Sequence, residues 1–322
     1  MVLLLMALGN VLAPERPAEA SGDAHPGASA AAPSPAQPEA QDTLTILFTA
    51  DTRGNLVPCS CPSHPVGGLA RRAGFLRRRG DRAAAGGTVL RLDVGGFLPE
   101  GEVPLRASPT TAARLTRLLL EAMEVERVEA TVLDHREREL LRRLAPRPYE
   151  ELGDRLLDAD PPGPARVVRW GHARIALLAL EESLADSTIE RAAQAARRGG
   201  DYLIVLARAD AESGRRLARL SRADLVLLSR GARPESILYE GSIPMYGCGL
   251  DGRDVGEIRL LPAGAEGSAP GTAGGGGRFR LLAHRLQPMD EGVSEDLPLG
   301  RKVRGLLLEE GSNASALLGD RE

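Results

Sequence analysis

The chain has 322 residues, 43% of them hydrophobic, which is enough for one large α/β domain or two small ones and excludes a fibrous chain or a short scaffold. A formal net charge of −3 provides no field to hold a nucleic-acid backbone or an anionic membrane, so neither is implied as a partner. Of the 41 basic residues only Lys302 is a lysine, a bias that reads as base composition and lowers the weight of any single arginine.

Residues 1–20 hold an apolar run at 2–13, broken by Gly9 and Asn10, and then Ala18-Glu19-Ala20 ahead of Ser21. An apolar run followed by a small-x-small stretch reads as an export segment, although no basic residue precedes it. The run is shorter than the roughly 20 residues that span a bilayer, and no cysteine follows it to carry a lipid. The expectation is an exported protein, periplasmic or extracellular, with no transmembrane span. Residues 21–41 are mostly Ala, Pro and Ser with few large apolar side chains and cannot bury enough surface to order themselves, so they read as a disordered tether.

From residue 42 short apolar runs alternate with amphipathic stretches, the pattern of an α/β fold. Strands are expected at 43–50, 88–94 and 128–133, with helices at 68–79, 109–123 and 136–144. Next come a hairpin of 166–169 with 173–180 around Gly171, a helix at 187–198, a strand at 202–207, a helix at 211–220 and a strand at 224–228. The segments 242–246, 255–261 and 278–286 read as antiparallel strands, with a Gly- and Ala-rich connection over 262–277 that reads as mobile. The division is 1–20 export segment, 21–41 tether, 42–296 globular domain and 297–322 C-terminal helix and tail, with no internal repeat.

Residues 44–72, LTILFTADTRGNLVPCSCPSHPVGGLARR, set a strand, an Asp-containing loop and a G-G-L-A-R-R helix start in one order. They resemble the opening of the 5′-nucleotidase branch of the metallophosphoesterases, where that loop reads D-x-H-G. The resemblance implies a four-layer α/β/β/α sandwich, an α/β metal-dependent phosphoesterase fold running from about residue 44 to about residue 296. No counterpart is expected to the second domain that grips the nucleobase in active 5′-nucleotidases. Block by block the resemblance implies a depleted centre. The first loop keeps Asp51 but has Arg53 for its histidine. The D-x-G-D block is LRLDVGGF, keeping Asp93 with Gly96 at the metal-bridging place. The G-N-H-E block reads Leu133-Asp134-His135-Arg136, retaining the histidine that protonates the leaving group in active relatives. The later histidine blocks read YLIVLAR and DLVLLSRGARP, with Arg208, Arg230 and Ala232 in the ligand places. IPMYGCGLDGRDVGEIRL then matches the closing strand, turn and strand.

Three readings of this centre stand open. One divalent ion could remain on Asp51 and Asp134, with His135 as the catalytic group. Arg53, Arg208, Arg230 and Arg233 could pair with Asp51, Asp93 and Asp134 and fill the charge vacancy. Or those arginines could exceed the carboxylates and make a pocket for a small anion. Three cysteines occur, Cys59, Cys61 and Cys248, the first two in a loop stiffened by Pro58 and Pro62. A C-x-C pair closes only a strained ring, which suits thiol exchange or a soft-metal clip. A single disulfide from Cys248 to either loop cysteine is the structural alternative. His64 and His172 are assigned no role.

The leading expectation is a pseudo-phosphoesterase acting as an anion-binding or thiol-redox module, with no cofactor and with a small anion or thiol-redox partner. The alternative is an active phosphoesterase with a single divalent metal ion.

Overall fold

The computed structural model describes residues 43–59, 63–98, 108–230, 237–262 and 278–310. The export segment, the tether, the connection at 263–277 and the tail after residue 310 lie outside the described residues, as do Cys61 and Arg233.

The chain opens with β1 (Leu44–Thr49), α1 (Leu69–Ala84), β2 (Thr88–Asp93), α2 (Pro109–Glu126), β3 (Ala130–Leu133), α3 (His135–Leu144), α4 (Pro146–Leu152) and β4 (Leu156–Asp158). It continues with β5 (Arg166–Trp170), β6 (Ala173–Glu181), α5 (Asp186–Gly199), β7 (Tyr202–Arg208), α6 (Ala211–Ser221) and β8 (Leu225–Leu228). It ends with β9 (Leu238–Glu240), β10 (Ile243–Gly247), β11 (Asp254–Pro262), β12 (Phe279–Pro288) and α7 (Leu297–Glu310).

Two six-stranded sheets result, ordered β12-β11-β1-β2-β3-β4 and β5-β6-β7-β8-β10-β9. In the first, β1 to β4 are parallel and β11 joins β1 antiparallel. In the second, β6, β7, β8 and β10 are parallel.

Alternation along the strands builds the layers. Ile46 and Phe48 of β1 share the intersheet core with Ile175, Leu177 and Ala179 of β6. The intervening Ala176, Leu178 and Leu180 pack with Ile189 of α5 and Leu217 of α6 on the outer face. The first sheet is covered by α1, α2 and α7 through Leu69, Leu115, Leu299 and Val303. Every residue of β1 is buried, which is why it reads as a continuous apolar run. The order of layers is helix, sheet, sheet, helix, the expected α/β sandwich.

Three expectations change. The strand expected at 242–246 is β10 (Ile243–Gly247), and it is not antiparallel to its larger neighbour: it lies parallel to β8 in the second sheet, antiparallel only to the three-residue β9. The α1 helix runs past residue 79 through Gly80, where the missing side chain leaves room for the Arg91 guanidinium. The elements α4, β4 and β9 carry no signal in the sequence. Two are three-residue strands too short for periodicity to register, and α4 begins on Pro146, which is tolerated in a helix's first turn but reads as a breaker.

Among the described residues no helix is long and apolar enough to cross a membrane.

Candidate functional site

The site residues gather at the C-terminal ends of the parallel strands, where loops from both sheets meet. After β1 the chain turns through Asp51 and Arg53, both at positive φ (47° and 48°), a costly conformation for side-chain-bearing residues that tends to mark sites. Neighbouring loops hold it there. The Asp51 and Arg53 N–H groups donate to the carbonyls of Gly95 and Gly96 at 2.7 and 2.8 Å, and the Asp251 N–H donates to the Asp51 carbonyl at 2.9 Å.

The buried Asp51 carboxylate is gripped by Arg53, Nε to Oδ1 at 3.0 Å and Nη2 to Oδ2 at 2.8 Å, a bidentate pair. Arg53 Nη1 also lies 4.0 Å from Asp251. Gly96 sits at φ 68°, and a Cβ there would come within 2.8 Å of Asp51 Oδ1. Asp93, expected among the arginines' partners, is instead held by the Thr49 and Thr131 hydroxyls at 2.7 and 3.1 Å and the Gly95 N–H at 3.0 Å. Burial pushes its carboxyl above the ordinary range, with those donors and Arg72 opposing.

At the end of β3, Asp134 caps α3. Its carboxylate accepts from the Glu137 N–H, and Glu137 accepts in return from the Asp134 N–H, a capping box. From β7 of the other sheet comes Arg208. Its Nη2 donates to Asp134 at 2.8 Å, its Nη1 to Glu137 at 2.9 Å and its Nε to Glu181 at 3.1 Å. Arg230 reaches Glu181 and Glu182 at 3.3 and 3.2 Å. Arg53, Arg208 and Arg230 are therefore all committed to carboxylates. His135 is exposed as the first residue of α3.

The cysteines separate. Cys59 lies in the loop whose ends meet at Pro58 and Gly67; its sulfur accepts from the Val66 N–H at 3.4 Å and lies 3.8 Å from the His64 carbonyl. Cys248 is a free thiol in the intersheet core, 1% exposed. Burial pushes its thiol far up, and Asp93 and Asp254 add to the rise, leaving it a poor nucleophile. Among the described residues Cys59 and Cys248 are not joined by a disulfide, and Cys61 lies outside them. Cys248 lies beneath the mouth, and the closing turn reaches the first loop through Asp251.

Glu137, Glu181 and Glu182 escape a reading of the sequence alone. The Asp134-x-x-Glu137 spacing is a helix-start signature that could have revealed the first. The other two stand at the C-terminal end of apolar β6, Glu181 as its last residue and Glu182 just beyond it.

These residues do not fit a two-metal centre. A guanidinium lies among Asp134, Glu137 and Glu181, another is locked on Asp51, and Gly96 supplies no ligand. Fixed positive charge within the donor set repels a divalent cation. Among the described residues no group of three or more His, Cys, Asp or Glu is arranged to hold a metal ion.

Solved structures share the architecture. A 5′-nucleotidase precursor from Thermus thermophilus superimposes with TM-score 0.59 at 19% identity, over 83% of this chain and 59% of that one. The fold is that of the metallophosphoesterases. A sulfate thiohydrolase, SoxB, from the same organism gives 0.61 at 16% identity, over 84% and 61%. The calcineurin-like phosphoesterase YfkN from Bacillus subtilis gives 0.58 at 13% identity, over 85% and 98%. The chain thus spans about three fifths of the two Thermus proteins. No family model matches the chain, and no curated protein sequence matches it.

Within this metallophosphoesterase fold Glu137 gives the site a pH signature. Burial pushes its carboxyl up to about 7, Arg208 opposing and Asp134 adding to the rise. Because the folded value lies above the ordinary 4.5, the protonated folded form is favoured, and the stability it brings is full below about pH 4.5 and lost as pH rises through about 7. Glu137→Gln keeps the cap acceptor but removes the titration. Relative to wild type it should gain up to about 3 kcal/mol between about pH 4.5 and about 7.5, read from urea unfolding at each pH. A difference independent of pH contradicts the assignment.

Proposed function

We propose that this chain is an exported pseudo-phosphoesterase, in which a metallophosphoesterase fold carries an ionic network in place of a hydrolytic centre and serves as a binding module of the thiol-redox kind. The observation that carries this reading is Arg208, a nearly buried guanidinium donating to Asp134, Glu137 and Glu181 together. By the resemblance, Asp134 and Arg208 stand where active relatives hold metal and activated water, and a positive side chain there leaves room for neither.

Charge favours the thiol variant over an anion pocket. Among the described residues Asp51, Asp134, Glu137, Glu181, Glu182 and Asp251 outnumber Arg53, Arg208, Arg230 and Arg253, and each arginine contacts a carboxylate. Among the described residues the arginines thus neutralise their neighbours and leave no surplus for a phosphate; Arg233 lies outside them. Cys59, by contrast, lies beside the first loop, where its sulfur accepts the Val66 N–H.

The test is metal analysis of purified protein, with turnover of a general phosphomonoester and titration of native thiols on the same sample. The expected result is substoichiometric metal, no turnover above background and thiol reactivity confined to the 59–61 loop. Stoichiometric zinc, manganese or iron accompanied by turnover overturns the reading in favour of a hydrolase using Asp51, Asp134 and His135.

A further inference from the structure

The misfit between this site and a metal centre has a positive content. Asp134 and Glu137 belong to the β3–α3 junction of the first sheet, whereas Glu181 and Arg208 end β6 and β7 of the second. The three Arg208 nitrogens each meet a different carboxylate at 2.8, 2.9 and 3.1 Å. The guanidinium therefore joins two sheets whose backbones share no hydrogen-bonded ladder. On its other flank Gly95 approaches so closely that a Cβ would lie 3.0 Å from Nη1. The place is fitted to a planar cation of this size.

We propose that Arg208 is a built-in cation standing in for a metal: it clasps the two sheets at their C-terminal ends and supplies the positive charge that Asp134, Glu137 and Glu181 share. Planarity and a fork of donors explain why arginine suits the role, since three carboxylates approach from different directions and a single ammonium could satisfy them only at the cost of distance. Buried carboxylates without a counter-charge are strongly unfavourable, so the clasp is needed as much to neutralise as to tie. The inference rests on the reading that the centre is non-hydrolytic, but makes a separate prediction about what the cage binds.

The experiment compares wild type, Arg208→Ala and Arg208→Lys by thermal melting, alone, with millimolar guanidinium chloride well below denaturing levels, and with manganese. Wild type should be indifferent to both additives. Arg208→Ala should melt about 10 °C lower, and guanidinium should raise its midpoint by several degrees by refilling the emptied cage, whereas manganese, for which these carboxylates are not arranged, should raise it less; Arg208→Lys should fall between. If Arg208→Ala does not fold, Arg208→Met combined with Glu137→Gln and Glu181→Gln should fold, since the two more buried stranded charges are gone and only the more exposed Asp134 remains. An Ala variant that neither additive raises, or a triple variant as unfolded as the single one, overturns the clasp while leaving the non-hydrolytic reading intact. Turnover by metal-loaded wild type would overturn that reading instead.

Discussion

Replacing Arg72 with methionine should cost about 3–5 kcal/mol of folding stability, seen as a lowered urea midpoint at an unchanged slope. Arg72 of α1 donates through Nε to Glu126 of α2 at 2.8 Å, and the two side chains are only 6% and 2% exposed. Its guanidinium also lies under the closing turn, close to the backbone at Gly252, and its charge is felt by buried Asp93. Methionine fills a similar volume but strands Glu126, whose carboxyl burial already pushes upward. The penalty is therefore that of an orphaned buried charge, or of the proton it must take up. Changing both partners, Arg72→Met with Glu126→Leu, should recover most of the loss, because neither charge then remains to be compensated. A single variant within about 1 kcal/mol of wild type would show the pair to be as weak as an exposed one.

Gly256→Ala should destabilise by about 3 kcal/mol, a fall of roughly 6–12 °C in melting temperature. Gly256 of β11 pairs directly with Phe48 of β1, and the Phe48 ring lies so close that a Cβ would stand 2.1 to 2.7 Å from three ring carbons. Phe48 is fully buried in the intersheet core, so it has no free volume to retreat into. Adding Phe48→Leu to Gly256→Ala should return part of the stability by making that volume. An additive double variant would mean that the ring moves freely and the contact is not tight. The strand carrying Phe48 leads into Asp51, and so packing fixes the approach of the first site loop.

Much of the fold is legible in the sequence because burial on both faces writes itself as composition. LTILFT, YLIVLAR and LVLL are mostly apolar runs, and β1, β7 and β8 lie in sheets covered on both sides. Short or edge elements such as β4 and β9 bury too little to leave that mark. Strand direction is less legible, since the parallel pairing of β10 with β8 depends on which sheet the chain enters after residue 230. The places of Asp51, Arg53, Asp134 and Arg208 can be read from motif order. Their partners cannot. Glu181 and Glu182 look like ordinary polar residues after a strand until β7 is laid beside β6 and Arg208 comes level with Glu181. The depth of Cys248 is hidden for a related reason: a cysteine after a strand gives no sign of whether it faces the mouth or the core.

The closeness of Gly96 to Asp51 also bears on how this sequence can change. An aspartate at residue 96 would meet an occupied space at a backbone angle that favours glycine. A histidine at residue 208 would leave three carboxylates repelling one another until a metal arrived, and the metal would lack its bridging ligand until residue 96 had changed. Each step toward a metal centre is unfavourable without the others. On the proposed reading, single substitutions could drift around the arginine network, whereas a metal centre would need several changes together.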